Sequence, residues 1–465
     1  MTMDRERKLF QALEITSITH GIRVSSRQDN PWVTNVCVDS RFVKNNSLFI
    51  ALPGERTDGH NYLKKAIASG ASCLLINDNK RYLYERLHLD ASDVTVISVA
   101  DTFRALRVLA ENWVARFPHL VRVAVTGSSG KTTSKEMISS ILSTMGPTVK
   151  NPGNYNSDIG LPLSVFNINE NHEFGVFEMG TNHHGEIQRM LDVYSPDVSL
   201  MTNIGTAHIG MFGSQEAIVR EKSNIFHSQV SRGYIGEENV WRNYIRKAKN
   251  IDLTPFGLTS TSGYAGAQSL GLNGWNLNYD GTDIHLKLIG SHNLQNALGA
   301  ISLAQGFGAT NEQIKSGLEG LEPISGRSRV IDGKVTVIED SYNSNIESAN
   351  KILDYLDELP WNGRKNVVLG SMKELGFVSS QAHRLIGKRV AELAPEGTFL
   401  YGKEMEAAYR MLKDENYSRN LFFTDEYEEL EQQVTSYVEA GDLVLLKGSR
   451  AMAMERLVSP LSLVS

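Results

Sequence analysis

The sequence is poor in cysteine, and it has no long apolar run. Its two cysteines, Cys37 and Cys73, are too few for a disulfide framework, which predicts a protein of a reducing compartment, the cytoplasm. No apolar stretch approaches the ~20 residues that a membrane-spanning helix needs. The segment MTMDRERKLFQALE is too polar for a signal peptide. These features exclude the disulfide-rich secreted class and the integral-membrane class.

Neither sign of charge is in large excess. The 47 Lys and Arg residues oppose 53 Asp and Glu residues, for a net charge of −6, so the balance indicates neither nucleic acid nor an anionic membrane as a partner. Hydrophobic residues make up 41% of the 465 residues, which is typical of a globular protein with buried cores. At ~150 residues per domain, the length predicts about three domains.

Strand and helix patterns alternate along much of the chain. Short apolar runs such as 121–125, 174–179 and 198–201 predict buried strands, and the amphipathic segments between them predict helices. This alternation is typical of an α/β protein with a parallel sheet that has helices on both faces. Residues 229–290 have weak periodicity and predict irregular or antiparallel strands. We therefore predict domains at 1–120, 121–325 and 326–465, the third being a smaller α/β domain.

The strongest local signal is a Gly/Ser-rich loop between a predicted strand and a predicted helix. Glycines let the backbone wrap a phosphate, and the following helix N-terminus adds positive potential. In such a loop the lysine reaches the β- and γ-phosphates and the next hydroxyl can bind Mg²⁺. The usual consensus has one more glycine, where this chain has Val125, so the loop is a shortened version. An ordinary strand–helix turn is the alternative. The loop consists of Thr126, Gly127, Ser128, Ser129, Gly130, Lys131, Thr132 and Thr133.

Two further polar residues follow predicted central strands, where ligands of parallel sheets bind. Glu178 and His208 are candidate Mg²⁺ ligands, although each alone also fits a solvated carboxylate or a hydrogen-bonded loop residue. Lys222, on a helix predicted to begin near Ser214, has the pattern of a surface lysine. Of the adjacent His183 and His184, we expect at most one to be functional.

Three residues near the second predicted boundary could contact a nucleotide. The carboxamide of Asn296 matches the donor–acceptor edge of adenine, although asparagine is also a common helix cap. Asp340 follows a predicted strand and fits either a ribose contact or a turn. Arg327 fits either a phosphate clamp or a linker charge.

Taken together, these motifs identify a resemblance to the Mur ligases, ATP-dependent amide-bond-forming enzymes of bacterial peptidoglycan synthesis. The resemblance covers nearly the whole chain. It implies an N-terminal UDP-substrate-binding domain, a central P-loop-type ATPase domain with a parallel sheet, and a C-terminal Rossmann-like ligase domain. The matching segments, in the family's order, are VDSRFVKNNSLFIALPGERTDGHNYLKKAIASGAS, TGSSGKTTSKEMI, GNYNSDIGLPLS, EMGTNHHGEI, TNIGTAHIGMFGS, GSHNLQNAL, DSYNSN and KGSRAMAME.

The resemblance also implies roles for individual residues. Lys131 would hold the γ-phosphate, and Thr132, Glu178 and His208 would bind Mg²⁺, two ions in all. Lys222 would react with CO₂ to form a carbamate that bridges toward the second ion. His183 would help to orient or deprotonate the amine. Asn296 would contact adenine, Arg327 the phosphates and Asp340 the ribose. The implied substrate-binding residues are Ser40, Arg41, Asp58, Gly59, His60, Asn154, Asn156, Asn182, Tyr342 and Asn343.

This chain departs from the family pattern at two places. Ser157 stands where the family often has asparagine, which affects local substrate contacts. In the segment GSMKELG, Ser371 stands where the family has aspartate, and Lys373 adds a charge near the expected dipeptide site.

The implied activity is the addition of D-alanyl-D-alanine to UDP-N-acetylmuramoyl-tripeptide through an acyl phosphate, by a cytoplasmic and monomeric enzyme. Three segments, DSR…DGH, NHxGEI and DSYNxN, favour this branch of the family. Two alternatives stay open. One is another Mur-type ligase that adds a single amino acid, and the other is a nucleotide-binding regulatory protein whose catalysis has decayed. The five residues Lys131, Thr132, Glu178, His208 and Lys222 are all present, which argues against decay.

Overall fold

The computed structural model describes residues 7–25, 30–87 and 94–464. The first six residues of the polar N-terminal segment lie outside this part of the chain. Two compact units are present. One comprises Met1–Arg122, Val149–Met179 and Gly185–Pro196, and the other Val123–Thr148, Gly180–His184 and Asp197–Ser465. Within the described ranges, none of the helices combines the length and the apolar character required to span a bilayer.

The first part of the chain forms a mixed five-stranded sheet in the order β2-β7-β6-β5-β4, in which β2 is antiparallel and the others are parallel. Helix α4 begins after Asp101, whose carboxylate accepts the N–H groups of Phe103 and Arg104, as its sequence predicts. Both cysteines are free and buried, and burial raises the pKa of each thiol to about 12. The elements are β1 (Phe10–Gln11), α1 (Ala12–Thr19), β2 (Ile22–Ser25), β3 (Trp32–Val33), β4 (Asn35–Cys37), β5 (Ser47–Ile50), α2 (Leu63–Ala68), β6 (Ala71–Asn77), α3 (Arg81–Glu85), β7 (Thr95–Val99) and α4 (Thr102–Val114).

The middle of the chain contains the predicted central strands and helices. Its elements are β8 (Val121–Thr126), α5 (Lys131–Ser143), β9 (Thr148–Lys150), α6 (Gly160–Val165), β10 (Phe174–Glu178), α7 (Glu186–Val193), β11 (Val198–Met201), α8 (Ile209–Phe212), α9 (Gln215–Lys222), β12 (Arg232–Gly236), α10 (Arg242–Lys249), β13 (Leu253–Phe256), β14 (Tyr264–Ser269), β15 (Trp275–Tyr279), β16 (Thr282–Leu286), α11 (Ser291–Gly306) and α12 (Asn311–Glu319).

In the second unit, strands β8, β11, β12 and β13 pair side by side, all in parallel. The carboxyl ends of β8 and β11 are therefore neighbours. For residues 229–290 the expectation of antiparallel or irregular strands is correct only in part. Strands β14, β15 and β16 form an antiparallel sheet, whereas β12 and β13 extend the parallel sheet. The sequence does not predict β12 as a parallel strand, because Gly233 and Gly236 interrupt its apolar run.

The last part of the chain is a six-stranded sheet in the order β17-β18-β22-β19-β20-β21, parallel except for the edge strand β17. Helices α13, α14 and α15 cover an apolar core on one face, and α16 and α17 cover a second core on the other. The predicted α/β class is confirmed. The elements are β17 (Arg329–Ile331), β18 (Thr336–Asp340), α13 (Ile346–Glu358), β19 (Lys365–Gly370), α14 (Ser379–Leu393), β20 (Gly397–Tyr401), α15 (Glu406–Asp414), β21 (Asn420–Thr424), α16 (Tyr427–Tyr437), β22 (Leu443–Lys447) and α17 (Val458–Ser462).

Candidate active site

The Gly/Ser-rich loop, residues 126–133, lies between β8 and α5, as its sequence predicts. Gly127 and Gly130 both have positive φ, 153° and 77°. A Cβ at Gly127 would collide with the hydroxyl oxygen of Thr202, and a Cβ at Gly130 would lie 2.6 Å from Oδ1 of Asn296. Both positions therefore require glycine, for conformation and for space. The loop leads into the N-terminus of α5, where the first backbone N–H groups have no acceptor within the helix.

The residues after β11 hold this loop in place. The N–H of Ser128 donates to the carbonyl of Asn203 at 3.0 Å, and the N–H of Ser129 donates to Oδ1 of Asn203 at 3.1 Å. The hydroxyl of Thr202 donates to the carbonyl of Ser129 at 2.6 Å. The N–H of Gly205 donates in turn to the Ser128 hydroxyl at 2.8 Å. Sequence reasoning missed Thr202 and Asn203, whose only signal is their position after a strand parallel to β8.

His208 and Lys222 lie in the same unit as the loop. His208 has a left-handed backbone, φ 62°, immediately before α8, and its Nδ1 contacts the carboxylate of Glu374. Burial lowers the pKa of His208, and the ammonium groups of Lys131 and Lys222 lower it further, against the raising effect of Glu374. The two lysines and the histidine therefore form one electrostatic cluster.

Lys222 is the last residue of α9, which begins after the capping hydroxyl of Ser214 as predicted. Its side chain is fully buried, so the surface position predicted from its pattern is wrong. Its burial depends on tertiary packing around α9, which the local sequence pattern does not contain.

The two adjacent histidines have different surroundings. The ring of His184 packs edge-on against Phe212, with centroids 5.0 Å apart. The hydrogen bond from His208 lowers the pKa of Glu374, and the charge of His183 acts in the same direction. Asn182 is exposed beside His183.

Helix α11 carries two polar side chains one turn apart that contact different groups. Asn296 lies in the second turn, so it is not the helix cap, and its carboxamide abuts Gly130 and donates to Oδ1 of Asn293 at 3.3 Å. His292 contacts the hydroxyl of Ser328 at 3.4 Å. Sequence reasoning missed His292, although its spacing of four residues from Asn296 predicts a shared helix face.

Asp340 is held by charge and by hydrogen bonds at the end of β18. Its Oδ2 lies 2.7 Å from Nζ of the buried Lys447, and its Oδ1 accepts the N–H of Ser328 at 3.0 Å. Lys447 also donates to the carbonyl of Asn343 at 3.0 Å. The guanidinium of Arg327 stacks over the ring of Tyr342, 4.0 Å from its centroid. The structure therefore brings Arg327, Asp340, Tyr342 and Asn343 into one cluster.

Glu178 lies in the other unit, together with the predicted residue Asn156. It is 1% exposed at the end of β10, so its alternative assignment as a solvated carboxylate is wrong. Its Oε1 accepts Nδ2 of Asn156 at 2.5 Å. The buried side chain of Asn151, which sequence reasoning missed, makes two hydrogen bonds to the backbone of Glu178. Its Oδ1 accepts the N–H at 2.9 Å, and its Nδ2 donates to the carbonyl at 3.1 Å. Asn154 is exposed on the preceding turn.

The predicted uridine-side residues form two compact turns. Ser40 is buried, whereas Arg41 is exposed and pairs with Asp39 at 2.6 Å. In the second turn, Nδ1 of the buried His60 lies 2.6 Å from Asp58, and Nε2 of His60 accepts the N–H of Asn77 at 2.9 Å. Both ring nitrogens of His60 are therefore engaged internally. A Cβ at Gly59 would lie 2.8 Å from the backbone nitrogen of Leu52.

The two departures from the family pattern have local structural explanations. The hydroxyl of Ser157 accepts the N–H of Gly160 at 3.1 Å, at the start of α6. Ser371 is fully buried, and its hydroxyl contacts the carbonyl of Tyr401 at 3.4 Å. Both oxygens of Glu404 accept the ammonium of Lys373 at 2.7 Å. The charge that Lys373 adds is therefore balanced within the chain.

Family models match three stretches of the chain. They are "Mur ligase family, catalytic domain" at residues 33–113, "Mur ligase middle domain" at 125–304 and "Mur ligase, glutamate ligase domain" at 326–450.

The chain is also similar to individual proteins along nearly its whole length. The UDP-N-acetylmuramoyl-tripeptide–D-alanyl-D-alanine ligase of Treponema pallidum is 34% identical over 96% of this chain and 97% of its own. A crystal structure of MurF from Acinetobacter baumannii superposes with a TM-score of 0.85 at 30% identity, over 97% and 98% of the two chains. MurF from Thermotoga maritima in complex with ADP has a TM-score of 0.77 at 26% identity, over 92% and 97%. The resemblance seen in the motifs is confirmed, and the chain belongs to the Mur ligase family.

Proposed function

We propose that this chain adds D-alanyl-D-alanine to UDP-N-acetylmuramoyl-tripeptide at the expense of ATP, a step of peptidoglycan precursor synthesis. The observation that carries the proposal is the loop at 126–133. Its two glycines have positive φ, and the side chains of Thr202 and Asn296 lie so close to them that no Cβ would fit. The relatives' names supply the substrates, and the ADP complex of a relative supports nucleotide binding at this fold. The chain is an ATP-dependent amide-bond-forming ligase.

The donor groups of the chain fit Mg²⁺ bound mainly through nucleotide oxygens. Among the residues that the structure describes, no three His, Cys, Asp or Glu side chains gather as a metal centre. Mg²⁺ on a nucleotide takes one or two protein oxygens plus phosphates and waters. Thr132, Glu178 and His208 would supply the protein ligands, and a carbamate on Lys222 would add oxygens for a second ion. When bound, the ions would neutralise charge on the transferred phosphoryl group.

In the first step, a carboxylate oxygen at the tripeptide terminus attacks the γ-phosphorus of ATP. The bond from that phosphorus to the ADP oxygen breaks, which gives an acyl phosphate and ADP. Such transfers depend on positioning and charge neutralisation rather than on covalent chemistry by the protein. The backbone at the start of α5 and the ammonium of Lys131 supply both. Asn296, Arg327 and Asp340 would hold the adenine, phosphate and ribose parts.

In the second step, the free amine of the dipeptide attacks the acyl carbon. Phosphate leaves, the amide bond forms, and the amine loses a proton. His183 is our candidate to orient the amine or take this proton, a role that the family resemblance implies for this position. Tyr342, Asn343, Asn182, Asn154 and Asn156 would contact the muramyl-peptide, and the turns at Ser40, Arg41 and 58–60 would hold the uridine end. For His60 we propose support of Asp58 rather than direct contact, because both of its ring nitrogens are engaged.

The assay that tests this function is phosphate release with purified UDP-muramyl-tripeptides. Release that requires D-alanyl-D-alanine supports the proposal, and release with a single amino acid instead supports another Mur-type ligase. No amine-dependent release under any condition would favour a decayed nucleotide-binding protein. Incubation with ¹³C-bicarbonate tests the Lys222 carbamate directly. A carbamate carbon resonance in the wild type that is absent from Lys222→Arg is the expected result.

Cytoplasmic location and monomeric action are part of the same proposal. UDP-linked precursors and ATP are cytoplasmic metabolites, and both cysteines are free. Light scattering coupled to size-exclusion chromatography should give one chain mass, 51.6 kDa. The division into domains at 1–120, 121–325 and 326–465 is likewise a prediction, and limited proteolysis near residues 120 and 325 would test it.

A further inference from the structure

The segment Gly205–Gly213, which we call the His208 segment, is held by residues more than a hundred positions later in the chain. The carboxylate of Glu347, near the start of α13, accepts the N–H of Thr206 at 2.8 Å and its hydroxyl at 3.1 Å. The N–H of Gly210 donates to the carbonyl of Glu374 at 3.0 Å. The carboxylate of Glu374 also contacts Nδ1 of His208. Two glutamates therefore hold one segment, at different points.

The approach of Glu374 to His208 depends on two glycines. A Cβ at Gly210 would lie 2.5 Å from the nitrogen of Gly376, and a Cβ at Gly376 would lie 2.7 Å from Cα of Gly210. No side chain fits between the two backbones, so glycine at both positions allows the segments of His208 and Glu374 to approach closely.

The backbone at both members of the pair is unusual. His208 and Glu374 have φ of 62° and 64°, in the left-handed region that residues with side chains seldom occupy. Such conformations persist only where surrounding contacts hold them, and they gather at functional sites. Here the surrounding contacts are the hydrogen bond between Gly210 and Glu374 and the two hydrogen bonds that Thr206 donates to Glu347.

The chemistry of the pair follows from the atom that Glu374 contacts. An imidazole that donates its Nδ1–H to a carboxylate keeps its lone pair on Nε2, and carboxylates of this kind orient histidines that bind metals. We propose that Glu374 is a positioning residue, which orients the His208 ring and keeps its proton on Nδ1 so that Nε2 can bind a divalent cation at the nucleotide. This inference rests on the proposed function, because it assumes that His208 binds such an ion.

The pair also links two parts of the second unit. His208 follows a strand of the sheet that carries the phosphate loop, whereas Glu374 follows β19 of the C-terminal sheet. The contact exists only when the two segments dock. Completion of the ion site would therefore depend on docking of the C-terminal sheet.

Glu347 offers a matched control. It holds the same segment through the N–H and hydroxyl of Thr206 and lies beside Gly205, whereas the imidazole of His208 is contacted by Glu374. The comparison of Glu374→Gln with Glu347→Gln therefore separates orientation of His208 from docking in general. Both substitutions keep side-chain shape and remove one charge.

The experiment uses the full chain with Mn²⁺ as the probe and ADP present, and it needs no turnover. Electron paramagnetic resonance titration gives the Mn²⁺ affinity, and ¹⁵N–¹H spectra of the histidine rings, assigned with His208→Gln, give the tautomer. We expect an Nδ1–H tautomer in the wild type. Glu374→Gln should weaken that preference, because a neutral amide accepts less strongly than a carboxylate and can also donate to Nδ1, and it should weaken Mn²⁺ binding by ~10–100-fold. Glu347→Gln should keep the tautomer and change Mn²⁺ affinity by less than ~3-fold, since it touches no ion ligand.

Equal losses of Mn²⁺ affinity in the two variants would overturn the proposal, as would an unchanged tautomer in Glu374→Gln. If Glu374→Gln does not fold, Glu374→Asp carries the same comparison, because the shorter side chain withdraws the carboxylate from Nδ1. Phosphate release by the wild type is measured separately. Its absence would reject the proposed function while the tautomer result still decides the role of Glu374.

Discussion

Two glycine-containing segments, the turn at 58–60 and the loop at 126–133, are both expected to bind ligands. Different kinds of contact stabilise them in the structure. In the turn at 58–60, Asp58 and the N–H of Asn77, at the end of β6, occupy both ring nitrogens of His60. The loop at 126–133 is supported instead from β11, by Thr202 and Asn203. We propose that its lysine, at the start of α5, contacts the γ-phosphate. The histidine of the 58–60 turn is therefore occupied within the chain, and any contact of this turn with the substrate would fall to its other residues.

The largest effect that this comparison predicts is on the loop. Lys131→Ala should reduce kcat for phosphate release by ~10²–10³-fold, because one preorganised charge at the transferred group is lost. The free energy of unfolding should change little. The exposed Lys403→Ala is the matched control, with less than a ~2-fold change expected for a surface substitution. Unchanged release in Lys131→Ala would remove the loop from the reaction.

The turn at 58–60 should respond in stability. His60→Ala leaves the Asn77 N–H without its acceptor and removes the ring contact of Asp58, so the free energy of unfolding should fall by ~2–3 kcal/mol. Urea denaturation measures this, with the exposed His119→Ala as the control, for which we expect less than ~0.5 kcal/mol. If His60→Ala is as stable as the wild type but has a raised KM for the UDP-linked substrate, His60 contacts the ligand directly and the supporting role proposed for it is wrong.

The free energy of unfolding should depend on pH because of His292, a residue of α11, the helix that contacts the loop through Asn296. Burial lowers the pKa of His292 to about 4, and its Nδ1 is buried without a hydrogen-bond partner among the described residues. The unfolded chain takes up this proton near pH 6.5 and the folded chain only near pH 4. Stability should therefore fall as the pH drops through that window, by ~2 kcal/mol from pH 7 to pH 5.

The contribution of His292 is the difference between the wild type and His292→Gln. Urea denaturation of both at pH 7 and pH 5 should show the smaller loss in the variant. Parallel losses in the two proteins would mean that His292 is as easily protonated in the folded chain as in the unfolded one.

The smallest effect concerns the departure at Ser157. Ser157→Ala removes the acceptor for the Gly160 N–H at the start of α6, so unfolding should become easier by ~1 kcal/mol. Ser157→Asn, which restores the residue that the family often has, should stay within ~0.5 kcal/mol of the wild type, since the asparagine side chain also offers an oxygen acceptor for this N–H. Equal stability of Ser157→Ala and the wild type would mean that this hydrogen bond does not stabilise the start of α6.

Much of the fold could be predicted from periodicity, and less of the site. The α/β alternation, the cap at Asp101 and the strand–loop–helix around Lys131 all follow from local patterns. Strands β12 and β17 are short or interrupted by glycine, so their pattern is weak. The burial of Lys222 and Glu178 depends on tertiary packing, which no window of the sequence contains. Glu374, Asn203 and Lys447 join the site through contacts across more than 70 residues.

The most direct test of the account is a crystal structure of this chain with a non-hydrolysable ATP analogue. We predict that the β- and γ-phosphates lie against residues 127–133, with the Lys131 ammonium in contact with the γ-phosphate. A triphosphate bound elsewhere, with this loop empty, would contradict the account.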